Sequence, residues 1–472
     1  MSAPTDPRRP GRRDATGEQV VAARFGARRV ASALVRRDPS PAVDPLRAHG
    51  RATIAGALLA ALALGAAAVV GALDRPADWR GATVVVAERS GALAVVTRDP
   101  PGLIDVPNLA SARLAAAALA GEPAPADPVE IADDVLAGAP RARPVGIVDA
   151  PALPPPDRPG PAVWSVCDTT APAPDRSRPR TTTGVVGSAA PTGRALAPAE
   201  GLVVVDRAGQ NWLVHEGVRA RLDVARPAVV EALGLGGLLP RPASSAFLAA
   251  LPEAPPVTPP VIPGRGAPVP VDLAGERAGG VVRVAGPGRA DTYLLVLTDG
   301  VEVVPELLAR LIRLDDPALA GVPVPTVSPA QVADAPVSRA IDTSAVPDPA
   351  PVPLPPDRAP TACADRSADG RSTTVSVSAG DAPAGVPLRQ ADGSGDRVDR
   401  AVLPGTGVAV QADGVGPPVV VSATGAVSAV PDARTAEALG LGRTFSPAPQ
   451  AVLGLLPGGP PLTVEAATRP LG

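Results

Sequence analysis

The stretch from Leu202 to Leu235 decides the fold: LVVVDRAGQNWLVHEGVRARLDVARPAVVEALGL. A Val-rich run, a polar turn holding Gly209, a second apolar run and an Ala/Val/Leu stretch behind Pro227 spell strand, turn, strand and short helix. The plan recurs. Thr83 to Ala117 carries TVVVAERSGALAVV and then IDVPNLASARLAAA, Val281 to Leu314 carries VVRVAGPGRADTYLLVLTDGVEVVPELLARLIRL, and Val408 to Leu441 carries VAVQADGVGPPVVVSATGAVSAVPDARTAEALGL. Self-similarity of this kind marks a repeat architecture. Pro107, Pro305 and Pro431 take the slot at the start of the helical stretch, where a missing N–H costs little; in the second copy Ala225 holds that slot and Pro227 follows two places later. Each helix is followed by a Pro-rich tail such as FLAALPEAPPVTPPVIPG from Phe247, which cannot extend a helix or a central strand and is expected to wrap the surface.

Spacing divides the repeats into pairs. The Val before each helix is Val106, Val224, Val304 or Val430, so the intervals are 118, 80 and 126 residues. The first and third exceed the second by 38 and 46, and those two inserts hold the only cysteines, Cys167 and Cys363. The inserts echo each other (CDTTAPAPDRSRPRTTT beside CADRSADGRSTTVSV). This predicts a pseudo-duplicated molecule in which repeats one and two match three and four, and the inserts meet in a central domain.

Composition agrees with thin modules. Pro (63) and Gly (48) approach the level at which low complexity sets in, yet 45% of the chain is hydrophobic, which disorder would not carry. Only seven residues are aromatic (three Trp, three Phe, one Tyr), so the core is built from small side chains. All the basic residues are Arg, and a net charge of -3 gives no global field for nucleic acid.

Upstream, Ala52 to Leu73 reads ATIAGALLAALALGAAAVVGAL, 22 residues without a charge, enough to cross a hydrocarbon core of roughly 30 Å. Residues 1–51 hold eleven Arg and five acids, or +6, which leaves -3 minus +6, or -9, for the remainder. Arg excess beside a membrane helix keeps that side in the cytoplasm, so the long C-terminal region is expected outside. A cleavable signal peptide is the rival; its apolar core usually runs about 7–15 residues behind a short basic start, and here the run is longer and 51 residues precede it.

Within the arm, EQVVAARFGARRVASALVRR from Glu18 to Arg37 predicts an amphipathic helix with a basic face. Arg24, Phe25, Arg28, Arg29, Arg36 and Arg37 are the candidate cytoplasmic docking residues, and their target is either anionic inner-leaflet lipid or a protein neighbour. Two cysteines on the outer side argue for one disulfide, Cys167–Cys363, closing 196 residues and contributing roughly 4–5 kcal/mol at most. Free or metal-binding thiols are the alternative, although two thiols without clustered His give too few ligands for zinc.

The run Q-V-x-x-x-R-F-x-x-R-R-V-x-x-A-L-V-R-R-D from Gln19 to Asp38, with Asp44-Pro45-Leu46 before the membrane helix, resembles the N-terminal signature of EccB proteins of type VII (ESX) secretion machines. V-W-S-V-C-D-T (Val163–Thr169), N-L-A-S-A-R-L (Asn108–Leu114) and L-T-D-G-V (Leu297–Val301) resemble the same family. The resemblance implies a structural subunit that anchors and organises the extracytoplasmic side for protein export. It also implies EccC (the motor ATPase), EccD, EccE and the protease MycP as partners, and a place in the cell membrane. The fold expected is α+β: a single N-terminal transmembrane helix, then an elongated extracytoplasmic region of four β-hairpin/helix repeats around a disulfide-linked central domain. The expected divisions are a basic arm at 1–51, the membrane helix at 52–73, repeat 1 at 82–150 and the first segment of the central domain at 151–200. Repeat 2 follows at 201–270, repeat 3 at 280–350, the second central segment at 351–405 and repeat 4 at 406–472.

No signature of catalysis stands out. A P-loop needs Lys, and the chain has none; the ATPase label of some relatives therefore has no motif behind it, and no cofactor or metal is expected. The Gly-rich GPGRADTY after Ala285 reads as a hairpin turn, not a dinucleotide fingerprint. His49 and His215 fall on opposite sides of the membrane, and nothing near His215 resembles a nucleophile elbow. Asp133–Asp134 and Asp315–Asp316 read as solvated edges, and Trp212 and Tyr293 as half-buried hairpin residues. Peptidoglycan binding by the repeats and an ATPase with an unrecognised site are the competing functions.

Overall fold

The computed structural model describes residues 16–36, 45–73, 78–121, 125–156, 158–171, 179–286, 290–319, 321–343, 346–380, 384–391 and 397–471. The chain forms two compact units, Met1–Pro76 and Ala77–Gly472. The first is helical: an arm helix Gly17–Arg36 and a membrane helix Pro45–Leu73. The stretch His49–Ala68 is long and apolar enough to cross a bilayer. The helix begins seven residues before the predicted span, since Pro45 sits at its first position, where the absent N–H is harmless. Its 29 residues extend about 43 Å, which matches core plus headgroups.

In the second unit all four repeats are present, and each has a third antiparallel strand that the hairpin pattern omits. In repeat 2 the strands are Glu200–Val205, Asn211–His215 and Val218–Leu222, followed by the helix Pro227–Ala232. Repeat 1 has Val84–Ala87, Leu93–Arg98 and Pro101–Val106 with the helix Leu109–Ala120. Repeat 3 has Val281–Val284, Thr292–Leu297 and Gly300–Val304 with Glu306–Leu314, and repeat 4 has Gly407–Ala412, Pro418–Ser422 and Val427–Ala429 with Ala433–Ala438.

Two expectations change. Among the four, Pro227 alone occupies the first helical turn; Pro107 and Pro431 stand two places before the first helical residue, because the intervening Asn108 and Asp432 supply side-chain caps that accept from the N–H groups of Ser111 and Thr435. Pro305 is itself the N-cap residue. The Pro-rich tails do more than wrap. Arg241–Pro242 adds in parallel to the first strand of repeat 2 and Glu253–Val257 to the third, so the tail closes both sheet edges. The pattern repeats with Pro128–Ile131 and Arg141–Ala142 in repeat 1. In repeats 3 and 4, Thr326–Val327 and Ser446–Ala448 take one edge, and single bridges at Val337 and Gly458 take the other. Proline lacks only a donor, so it is tolerated where no further strand follows.

The two inserts meet in a seven-stranded central sheet. Val163–Ala171 pairs antiparallel with Thr361–Ser367, and Cys167 stands directly opposite Cys363. An antiparallel pair centred on one residue couple is unchanged when its strands are exchanged, so a pseudo-twofold axis runs through the cysteines. That axis exchanges repeat 1 with 3 and 2 with 4. The helix contacts obey it: the repeat 1 helix packs on the repeat 4 helix, as the repeat 2 helix packs on that of repeat 3. One face of the central sheet, with Trp164, Val166 and Val375, shares a core with the repeat 2 and repeat 4 sheets.

Candidate functional site

No catalytic centre is offered by the sequence, so the functional features are the anchor, the arm and the stapled centre. Cys167 and Cys363 form a disulfide, with Cα atoms 4.0 Å apart, and both are buried. Opposite pairs in the same register flank it: Ser165 donates to Asp365 on one side, and the hydroxyls of Thr169 and Thr361 lie 2.9 Å apart on the other. The staple therefore joins the halves of the chain inside a hydrogen-bonded strip. Burial pushes the Asp365 carboxyl up, against the hydrogen bond from Ser165.

On the opposite face lies a network that sequence reasoning missed. The fully buried Asp168 accepts from the Ser244 N–H (2.6 Å), the Ser244 hydroxyl (2.7 Å) and the Thr183 hydroxyl (2.9 Å). Ser244 also caps the helix Ser245–Ala249, accepting from the Phe247 N–H. Burial raises the Asp168 carboxyl to about 6, with these hydrogen bonds and the Arg241 charge opposing it. Arg241, itself buried and lowered to about 10 by desolvation, donates to the carbonyls of Ala359 and Pro360. The Thr183 strand and the Arg241–Ser244 segment thus converge on one carboxylate, and Arg241 links it on to the carbonyls of Ala359 and Pro360. The only signal in sequence was the polar Asp168-Thr169-Thr170 run behind Cys167 in an otherwise apolar strand.

The remaining candidates resolve as structure. His215 ends a repeat 2 strand, buried, with neither ring nitrogen hydrogen-bonded among the described residues; burial lowers its pKa, Glu216 partly countering. His49 lies in the membrane helix, exposed. Asp133 accepts from the N–H groups of Arg89 and Ser90, which holds its carboxyl below the usual range and fixes the first hairpin of repeat 1. Asp315 and Asp316 pair with Arg226 and Arg265 across repeats 2 and 3. Trp212 is buried, its indole N–H donated to Asp206 and its ring contacted by Arg219 and Arg221. Tyr293 is half-buried in a repeat 3 strand, its phenol raised first by burial. Of the GPGRADTY turn, residues 287–289 lie outside the described residues; the strands on either side pair antiparallel.

The arm residues Arg24, Phe25, Arg28 and Arg29 are exposed on the arm helix; Arg36 is its last residue, and Arg37 lies outside the described residues. Val20, Val30 and Leu34 are exposed as well, 40%, 60% and 76% respectively, so the apolar side of this helix is uncovered. Among the described residues no group of three His, Cys, Asp or Glu side chains could hold a metal ion.

Fold and site together define a membrane-anchored repeat protein, with one helix among the described residues fit to cross a bilayer and a disulfide-stapled body. A family profile described as "Type VII secretion system ESX-1, transport TM domain B" matches residues 12–470. The ESX-3 secretion system ATPase EccB3 of Mycolicibacterium smegmatis is 34% identical over 475 residues, 95% of this chain and 89% of that protein. The ESX-5 secretion system ATPase EccB5 of Mycobacterium marinum is 32% identical over 491 residues, covering 97% and 94%. Among solved structures, a chain of the intact ESX-5 inner membrane complex aligns with a TM-score of 0.68 at 29% identity, over 98% of this chain and 96% of that one. A chain of the EccB3 dimer from the ESX-3 core complex aligns with a TM-score of 0.68 at 27% identity, over 82% and 100%. The chain belongs to the EccB family, the B component of type VII secretion membrane complexes.

Proposed function

We propose that this chain is a scaffold of its secretion complex: the arm docks on the cytoplasmic side, the helix crosses the membrane once, and the four-repeat body organises the outer side. The observation that carries this reading is the disulfide at the centre of the body, on the C-terminal side of the apolar helix, since such bonds persist in oxidising space. The +6 arm favours the same orientation. By family resemblance the partners are EccC, EccD, EccE and MycP, and nucleotide energy enters through EccC. Exposed Arg24, Arg28 and Arg29 beside Phe25 suit an acidic neighbour or anionic inner-leaflet lipid.

A second reading is favoured by the relatives' names, which call them ATPases. With no Lys in the chain, a Walker A site is excluded, and hydrolysis would need another phosphate-binding device. Mild detergent extraction separates the readings. The scaffold predicts a very large complex that the triple variant R24E/R28E/R29E breaks up. A chain that elutes alone and sediments with purified cell wall would replace it by wall binding. Phosphate release by the purified chain, retained after removal of EccC, would support the ATPase.

A further inference from the structure

Exchange about the pseudo-twofold axis makes the two inter-repeat joints equivalent in plan, and the side chains make them unequal. The joint between repeats 2 and 3 is filled by Val229, Leu233, Leu307, Leu308, Leu311 and Ile312. Its counterpart between repeats 1 and 4 is filled by Ala110, Leu114, Ala436, Leu439, Leu462 and Ala467, with fewer methylenes in apolar contact. A cleft of about 440 Å³ opens along it between Ala117, Ala118, Pro431, Arg434 and Val464. The other apolar clusters of repeat 1 are built from residues of repeat 1 and its own edge segments.

The joints also differ in how they are tied. Pro255-Pro256-Val257-Thr258 in the repeat 2 tail matches Pro460-Pro461-Leu462-Thr463 in the repeat 4 tail, and Val257 and Leu462 are both fully buried. After Thr258 the chain continues through Ile262, buried in the joint, and leads covalently into repeat 3. After Thr463 it forms the short helix Val464–Ala467 and reaches repeat 1 by contact alone. There Val145 bridges Pro470; the Gly146 N–H donates to the Arg469 carbonyl (3.1 Å) and the Leu471 N–H to the Pro144 carbonyl (2.9 Å). One seam is covalently closed and the other is held by a strap.

We propose that the joint between repeats 1 and 4 is an openable seam latched by residues 462–471, so that repeat 1, the first repeat after the membrane helix, detaches while the central sheet and the joint of repeats 2 and 3 stay packed. The inference is independent of the scaffold reading, because it concerns order of opening and no partner. Hydrogen exchange on the full chain in detergent tests it with two variants. A467D places a charge at a fully buried latch position. V145C/P470C ties the bridge, whose residues form a non-hydrogen-bonded antiparallel couple, the geometry that brings Cα atoms closest. In the unmodified chain, Leu109–Ala120 is expected to exchange at least about tenfold faster than Glu306–Leu314. A467D should speed Leu109–Ala120 and Gly146–Ile147 by about tenfold more and leave Glu306–Leu314 and Val163–Ala171 unchanged, and the tied variant should slow Leu109–Ala120 to the repeat 3 rate. Equal exchange of the two helices in the unmodified chain overturns the seam. So does acceleration of Val163–Ala171 by A467D, or a formed crosslink that leaves Leu109–Ala120 unprotected.

Discussion

Asp168→Asn isolates the buried carboxylate that ties repeat 2 to the central sheet. The carboxyl stands at about 6 in the folded chain against an ordinary 3.8, so the fold holds a proton there that the unfolded chain has released. The sign follows: this group's contribution is fully present below pH 3.8 and is lost as pH rises through 6. A gap of that size is worth about 2 kcal/mol between pH 4, where the unfolded chain is already mostly ionised, and pH 7. The amide is a fair probe, because its oxygen can take the Ser244 N–H while its nitrogen donates to the Ser244 and Thr183 hydroxyls, which reverse direction freely. Urea unfolding of the full chain in detergent, followed by tryptophan fluorescence with Trp164 in the same core, gives stability at each pH. Asp365 and the remaining carboxylates titrate in both proteins and cancel in the difference. The variant should gain about 2 kcal/mol on the unmodified chain from pH 4 to pH 7, whatever the constant offset. Parallel curves across that range would mean that Asp168 is solvated or fully compensated, and the network would then be no more than a cap.

Three further outcomes are expected. Replacing Cys167 and Cys363 by Ala should cost about 4 kcal/mol and lower the melting temperature of the central sheet, read by calorimetry against the oxidised chain. Gly217→Ala should cost more than about 2 kcal/mol in urea unfolding, since Gly217 has φ +79° and a Cβ there would run into the Thr373 carbonyl of the central sheet. Arg113→Met should cost about 1–2 kcal/mol and speed exchange in Ala433–Ala438, because the guanidinium donates to the Leu439 carbonyl (2.7 Å) at the C-terminal end of that helix and to Asp127 (3.0 Å). Unchanged exchange there would show that water replaces it.

The repeats, the membrane helix and the cysteine pair were legible because each is written in a local pattern: alternation, an uncharged run, an insert that recurs with one cysteine in each copy. The third strand of each repeat was not, since EGVRARLDV mixes two Arg into five residues of strand and reads as a turn until Trp212 and Glu253 cover those side chains. Edge strands of two residues, such as Arg241–Pro242, have no periodicity to detect. The Asp168 network is invisible for another reason. Its members, Thr183, Ser244 and Arg241, lie 15, 76 and 73 positions away from Asp168, and only the assembled sheet brings them together.

A chain with so few aromatics holds together by dividing its apolar surface among several small cores. The largest unites the central sheet with repeats 2 and 4, where Trp164 and Phe247 supply the bulk that Val and Ala cannot. The two helix joints then carry different loads: Arg310 of the repeat 3 helix donates to the Glu231 carbonyl of repeat 2, as Arg113 of repeat 1 donates to Leu439 of repeat 4. Both Arg residues approach the last turn of a short helix that ends in the same sequence, EALGLG, with Gly234 and Gly440 in the left-handed conformation. Gly440 cannot gain a Cβ without meeting the Arg113 guanidinium, whereas Gly234 has open space around it. Duplication fixed the plan of both joints, and the poorer apolar filling of the repeat 1–4 joint left it dependent on that guanidinium and on the strap.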